Sequence, residues 1–272
     1  MLHEPHLHLS RPPVVEVVVG VQFNSLPKLS AGQLGAFWRE LASEWPNVED
    51  APALPPQFEC FGDENALPFF AGMRLQLMQK PEVRLQARNR AGDRMVQIQN
   101  GRLHYNWLRH GEAEYPLYGN VKQEFDKTVA RFTEFLQREG LGAFEPNQWE
   151  LTYVDHIPRG TLWETPDDWP QIFRAWDVAP LRAPGIAVES LEAEWHYEIQ
   201  PNTGRLHIKI GRGRTAKQED VLVINTTARG PVKAGDAEAT LDRGLEHGHE
   251  AVRKAFELLT SDSAQQYWGK GQ

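Results

Sequence analysis

A chain of 272 residues, 40% of them hydrophobic, can bury roughly three quarters of the surface its open form exposes, so it needs neither metal nor disulfide to hold a core. Its one cysteine, Cys60, excludes an internal disulfide, and its formal charge of -8 excludes a protein that coats nucleic acid with its whole surface, although a local basic face is still allowed. The longest apolar run, Val14 to Val21, carries Glu16 and falls far short of the ~20 residues that span a bilayer. The His-rich lead has neither an apolar targeting core nor a cleavage pattern, and a reducing cytoplasm is the expected setting.

Residues 1–11 read as a flexible lead, and Pro12-Pro13 ends it. Val14 to Phe23 is then a β-branched strand. Ser30 caps a predicted helix whose Leu34, Phe37, Trp38, Leu41 and Trp45 form one stripe, with Pro46 as its stop. Val48 to Pro68 is rich in proline and reads as a long loop with one short strand at Phe58 to Phe61. From Met73 to Leu108 the period changes to two, giving a meander with an apolar and a polar face. Its turns are Asn89-Arg90-Ala91-Gly92-Asp93 and the two-residue Asn100-Gly101. Val121, Phe125, Val129, Phe132 and Leu136 then define a long helix that Gly140 terminates.

The second half follows the same order of elements. Trp149 to Ile157 is a strand, Thr165 to Trp176 a short helix opened by Pro166, Leu191 to Thr227 three strands, and Leu241 to Leu259 an amphipathic helix. The predicted class is α+β, an antiparallel sheet with long helices packed on one face. The boundaries are 12–145 and 146–272, two halves that share one core. An offset of about 120 to 135 residues suggests a duplicated strand-helix-meander-helix unit. No residue-level identity accompanies it, and an ordinary α+β sheet without internal symmetry is the alternative. This element order is also that of each half of the TATA-binding-protein-like fold, an analogy of architecture that carries no function.

Several residues could carry chemistry. His3, His6 and His8 could bind zinc or nickel, but no further ligand completes a site, and a mobile terminus is the simpler account. His247, His249 and Glu250 begin like a zinc-protease helix, yet Arg253 stands where the second histidine must be, which leaves a solvated helix face. Asp155 and His156 could form an acid-imidazole pair, except that neighbouring strand residues point to opposite faces. Cys60 could serve a hydrolase, although lone cysteines are usually buried and inert. Gly211 to Thr215, with Arg212 and Arg214, resembles an anion-holding turn but lacks the spacing of a phosphate loop; a plain hairpin tip is the alternative. No cofactor and no metal are expected.

The feature with most weight is the polar side of the meander: Arg74, Gln76, Arg84, Gln86, Arg88, Gln97, Gln99, Arg102, His104 and Asn106, a set without a carboxylate. Arg205, His207 and Lys209 repeat the pattern in the second half, beside Glu194, His196 and Glu198. Arginine forks fit phosphates or carboxylates, and amides fit base edges or a peptide backbone. The sequence therefore predicts a non-enzymatic binding protein that engages a protein partner or an anionic ligand such as RNA or DNA. The alternative is a hydrolase or nuclease using His104, Asp155 and His156. A third possibility is a scaffold anchored through Trp163, Trp169 and Trp176.

Three stretches together resemble a sporadically distributed bacterial family of uncharacterised proteins of about this length. They are Pro12-Pro13-Val14-Val15-Glu16-Val17-Val18; Val96-Gln97-Ile98-Gln99 through Asn106-Trp107-Leu108 and Tyr118; and Leu241-Asp242 through His249, Phe256-Glu257-Leu258-Leu259-Thr260 and Trp268. The resemblance spans nearly the whole chain and implies a bacterial cytoplasmic setting of the accessory, defence or toxin-antitoxin kind, with no activity to carry over. The family more usually has Asn and a basic residue where this chain has Asp155-His156, which argues against a catalytic role for that pair.

Overall fold

A computed structural model describes residues 7–61, 83–111, 113–174, 185, 188–233 and 235–271. Among the described residues nine strands form one antiparallel sheet, in the order β2-β3-β4-β5-β1-β6-β9-β8-β7. In chain order they are β1 Val14–Phe23, β2 Asn47–Pro52, β3 Val83–Arg88, β4 Arg94–Gln99, β5 Arg102–Leu108, β6 Pro146–Pro158, β7 Glu192–Ile199, β8 Gly204–Arg214 and β9 Asp220–Pro231. Strands β1 and β6 pair at the centre, and the remaining strands run outward from them. The α+β class is thus as the periodicity predicts.

The helices are α1 Ala31–Leu41, α2 Tyr118–Arg138, α3 Ala237–Leu259 and the short α4 Asp262–Tyr267. Ser30 caps α1 by accepting from the Gln33 amide at 3.4 Å. Helix α2 ends as its glycine requires. Gly140 has φ +63°, its amide bonds the Gln137 carbonyl at 3.2 Å, and the Leu141 amide bonds that of Leu136 at 3.0 Å.

Alternation along each strand puts the apolar set under the helices. Val17, Val19, Val21, Leu103, Tyr105, Trp107, Trp149 and Leu151 are all at most 2% exposed and join Phe37, Phe125, Phe132 and Phe135 in one core. Each fully buried phenylalanine contributes about 1.5–3 kcal/mol. Trp149 is the largest object under α3, and Gly244 and Gly248 face its ring; a Cβ at either position would collide with the indole. The edge strands β2 and β7 carry Glu49, Asp50, Glu192, Glu194 and Glu198, charges that discourage further strand addition.

Four sequence expectations change. The short strand of the proline-rich loop is Asn47–Pro52, paired with β3, and not Phe58 to Phe61. The expected helix from Thr165 is a 3-10 turn, Pro166–Gln171, because Pro170 lacks the amide that a continuing α-helix needs. Leu9 bridges Lys270, and the Arg11 amide bonds the Trp268 carbonyl at 2.9 Å, so the end of the lead is tied to the C-terminal segment. Trp163 and Trp169 are 3% and 0% exposed and stack edge to face in the core, so they anchor no interface. Trp176, Arg74, Gln76, His3 and His6 lie outside the described residues.

Candidate functional site

The face of the sheet away from the helices is polar, as the alternation predicts, but it is not wet. Gln97, Gln99, Arg102, His104 and Asn106 are between 1% and 8% exposed. Over Gln99 the cover is the chain itself. Residues 53–61 cross the strands as a strap, and the strand pairing explains how it is held. Gln99, Arg102, Gln22 and Gln148 stand side by side on β4, β5, β1 and β6. Three of these glutamines grip the strap's main chain. Gln99 donates to the Leu54 carbonyl and accepts from the Leu54 amide, both at 2.8 Å. Gln22 does the same at Gln57, at 2.5 and 2.9 Å, and Gln148 accepts from the Glu59 amide at 3.1 Å.

The next row contains the charge. It runs Gln97, His104, Gly20, Glu150, Arg229 and Arg205 across β4, β5, β1, β6, β9 and β8. Gly20 is a glycine here for a steric reason, since a Cβ would collide with the His104 ring that reaches over β1 toward Glu150. Glu150 receives Arg229 Nε at 3.1 Å, lies 3.1 Å from Arg102 Nε and is 3.4 Å from His104 Nε2. Burial alone would raise its carboxyl, but the hydrogen bond and charge of His104, with Arg102 and Arg229, hold it down at about 2. Glu59, from the strap, accepts from Arg205 Nη1 at 2.5 Å, His207 Nε2 at 2.7 Å and Arg229 Nη1 at 3.2 Å. Its burial also opposes ionisation, and His207 and the two arginines again prevail and lower its pKa. The His207 and His196 Nδ1 atoms are 2.7 Å apart, so one ring must donate and the other accept.

A second chain of contacts runs away from the strap. Arg84 and Gln86 both donate to Gln97 Oε1, at 2.9 and 3.0 Å; Gln97 donates to Asn106 at 2.9 Å, and Asn106 to Glu16 at 2.6 Å. Among the described residues two guanidiniums stay incompletely satisfied. Arg102 Nη2 and Arg84 Nε are buried without a hydrogen bond, and Arg102 Nε meets Glu150 at an angle too poor for one.

The expectation of a carboxylate-free patch is therefore wrong: Glu150 and Glu59 enter it. The alternation of Gln148, Glu150 and Thr152 along β6 already carried the signal for Glu150, once β6 is paired with β1. Glu59 lies in an aperiodic loop and gave none. Arg88 is half-buried on β3, and Lys209 is exposed on β8. Arg212 and Arg214 approach Asp220 of their own hairpin, at 2.7 and 3.4 Å, so the turn is a self-neutralised hairpin tip.

His104, Asp155 and His156 are not brought together. His156 shares the polar face with Glu150 but stands six residues along β6, about 20 Å of strand from the His104 row. Asp155 points to the helix face. There His249, expected on a solvated helix face, stacks on Tyr118 at 3.9 Å and lies 3.2 Å from the Tyr153 hydroxyl. Cys60 is exposed, contrary to the expectation of a buried thiol. Among the described residues no group of three or more His, Cys, Asp or Glu side chains is placed to hold a metal ion, and no helix is long and apolar enough to cross a membrane. Comparison of the chain with models of known protein families gives no match, and comparison with curated proteins gives none either.

Proposed function

We propose that the protein is a non-enzymatic binding protein whose polar sheet face takes up an extended, acidic segment of a protein partner. The observation that carries this is the strap, which is such a segment in cis: amide side chains clamp its backbone, and arginine and histidine receive its Glu59 carboxylate. Charge favours a more acidic occupant than the strap. Among the described residues Arg84, Arg102, Arg205 and Arg229 share this face with Glu16, Glu59 and Glu150, and the open donors of Arg84 and Arg102 suit a further carboxylate. The strap's hold is mainly polar, with Phe58 54% exposed, so exchange forfeits little apolar burial. We infer a bacterial cytoplasmic setting from the lone cysteine and the family resemblance.

The test is fluorescence anisotropy with a labelled peptide of residues 53–61, a version with Glu59→Gln, and a single-stranded RNA oligonucleotide. The internal strap competes at an effective concentration of about millimolar, so weak binding is expected of the wild type and tighter binding of the Glu59→Gln protein. Joint alanine replacement of Arg205 and His207, which receive the Glu59 carboxylate, in the triple variant that also carries Glu59→Gln should weaken the salt-sensitive complex. Unchanged affinity in that triple variant contradicts the proposal, and preference for RNA replaces the peptide reading with a nucleic-acid one.

A further inference from the structure

The helix side of the sheet holds a cavity of about 890 Å³ where the start of β1, the end of β5, β6 and α3 meet. This lies within the size range of small-molecule sites. It is independent of the polar face. On its floor sits Asp155, paired across the sheet with Val14 and Ile224 and only 4% exposed. Among the described residues its carboxyl accepts no hydrogen bond. Arg109 is the cation that acts on it, yet Arg109 already donates Nε to the Val14 carbonyl at 2.8 Å and Nη2 to that of Pro12 at 3.0 Å. Burial outweighs the pull of Arg109 and raises Asp155 to about 7.

The walls combine hydroxyl, imidazole and aromatic groups with the charged side chains of Arg11, Arg109, Glu114 and Arg253. Tyr115 and Tyr153 share a hydrogen bond at 2.8 Å, and Tyr153 continues to His249 Nδ1 at 3.2 Å. Val252 and Phe256 of α3 complete an apolar side. A buried carboxyl left without donors is costly unless something supplies them, and a fold gains nothing by keeping it open.

We propose that this cavity binds a small organic amine as its ammonium ion, with Asp155 as the counter-charge and the tyrosine rings around the aromatic or aliphatic body. An ammonium brings the missing N–H donors, neutralises the carboxylate and is attracted by ring faces. Arg11, Arg109 and Arg253 could draw an anion to the walls but not onto the Asp155 carboxylate, and a neutral alcohol could supply one donor but no charge.

The experiment uses the full chain and three probes of one shape: phenethylamine, phenethyl alcohol and phenylacetate, titrated at pH 8 by calorimetry and by thermal shift. The amine should bind and raise Tm, the other two should not, and Asp155→Asn should lower amine affinity by at least about tenfold, the least that one charge-assisted hydrogen bond supplies. Without ligand, Asp155→Asn should keep or raise Tm, because an isosteric neutral group replaces a buried carboxylate that receives no hydrogen bond among the described residues. Binding of the alcohol or the acid as tightly as the amine, no binding of the amine at millimolar concentration, or a lowered Tm for Asp155→Asn each overturns the proposal. The last result would make Asp155 a structural residue.

Discussion

Two residues of the polar face show how tightly its chemistry is coupled to the fold. Glu150 is a carboxylate at the middle of the sheet that two arginines and a histidine approach, so removing its charge leaves those cations buried and unpaired. Glu150→Gln should cost about 3–5 kcal/mol at neutral pH in urea denaturation. The pH dependence has a fixed sign. The folded carboxyl titrates at about 2, below its ordinary 4.5, so the stabilisation is present above 4.5 and fades as pH falls toward 2. The gap between wild type and Glu150→Gln should close over that same window. Gly20 is the second residue. Gly20→Ala places a methyl group in the His104 ring and should cost about 1–3 kcal/mol, seen as a lowered Tm. Combining it with His104→Ala should recover most of that loss.

At the scale of elements, α3 shows how a helix is fitted to one large side chain. Gly244 and Gly248 lie one turn apart and let the helix settle on the Trp149 ring, while Leu245 and Val252 fill the sides. Gly244→Ala would gain helix propensity of up to about 1 kcal/mol in an exposed helix. Here the collision should dominate, for a net loss of about 1–3 kcal/mol in chemical denaturation. In the Trp149→Phe background the same change should become near neutral. The sequence displays such elements where burial has a period. The stripe of α2, the β-branched β1 and the alternation of β4 and β5 are legible because each presents one face to an apolar layer. The strap was not legible, because its residues are fixed by side chains from strands distant in sequence, Gln99, Gln22 and Gln148, and no local pattern records such partners. For the same reason the polar face was read as solvated: alternation separates two faces of a strand but does not say what lies on the second. Asp155 was visible as a candidate, and the strand geometry correctly parted it from His156. Its tyrosine and histidine neighbours come from beyond β5 and from α3, so they could be assembled only in three dimensions.

For the whole molecule, the two faces of one sheet do different things. The helix face is a packed core interrupted by the Asp155 cavity, and the other face is a charged groove closed by the chain's own acidic strap. The central claim is that this strap occupies a site meant for an acidic partner segment and can be exchanged for it. Amide hydrogen exchange at Leu54, Gln57 and Glu59, measured with and without saturating peptide of residues 53–61, tests this most directly. The account predicts that protection at Gln57 and Glu59 of the protein falls on adding the peptide, and that the Glu59→Gln peptide leaves it unchanged. Undiminished protection with peptide demonstrably bound would contradict exchange of the strap.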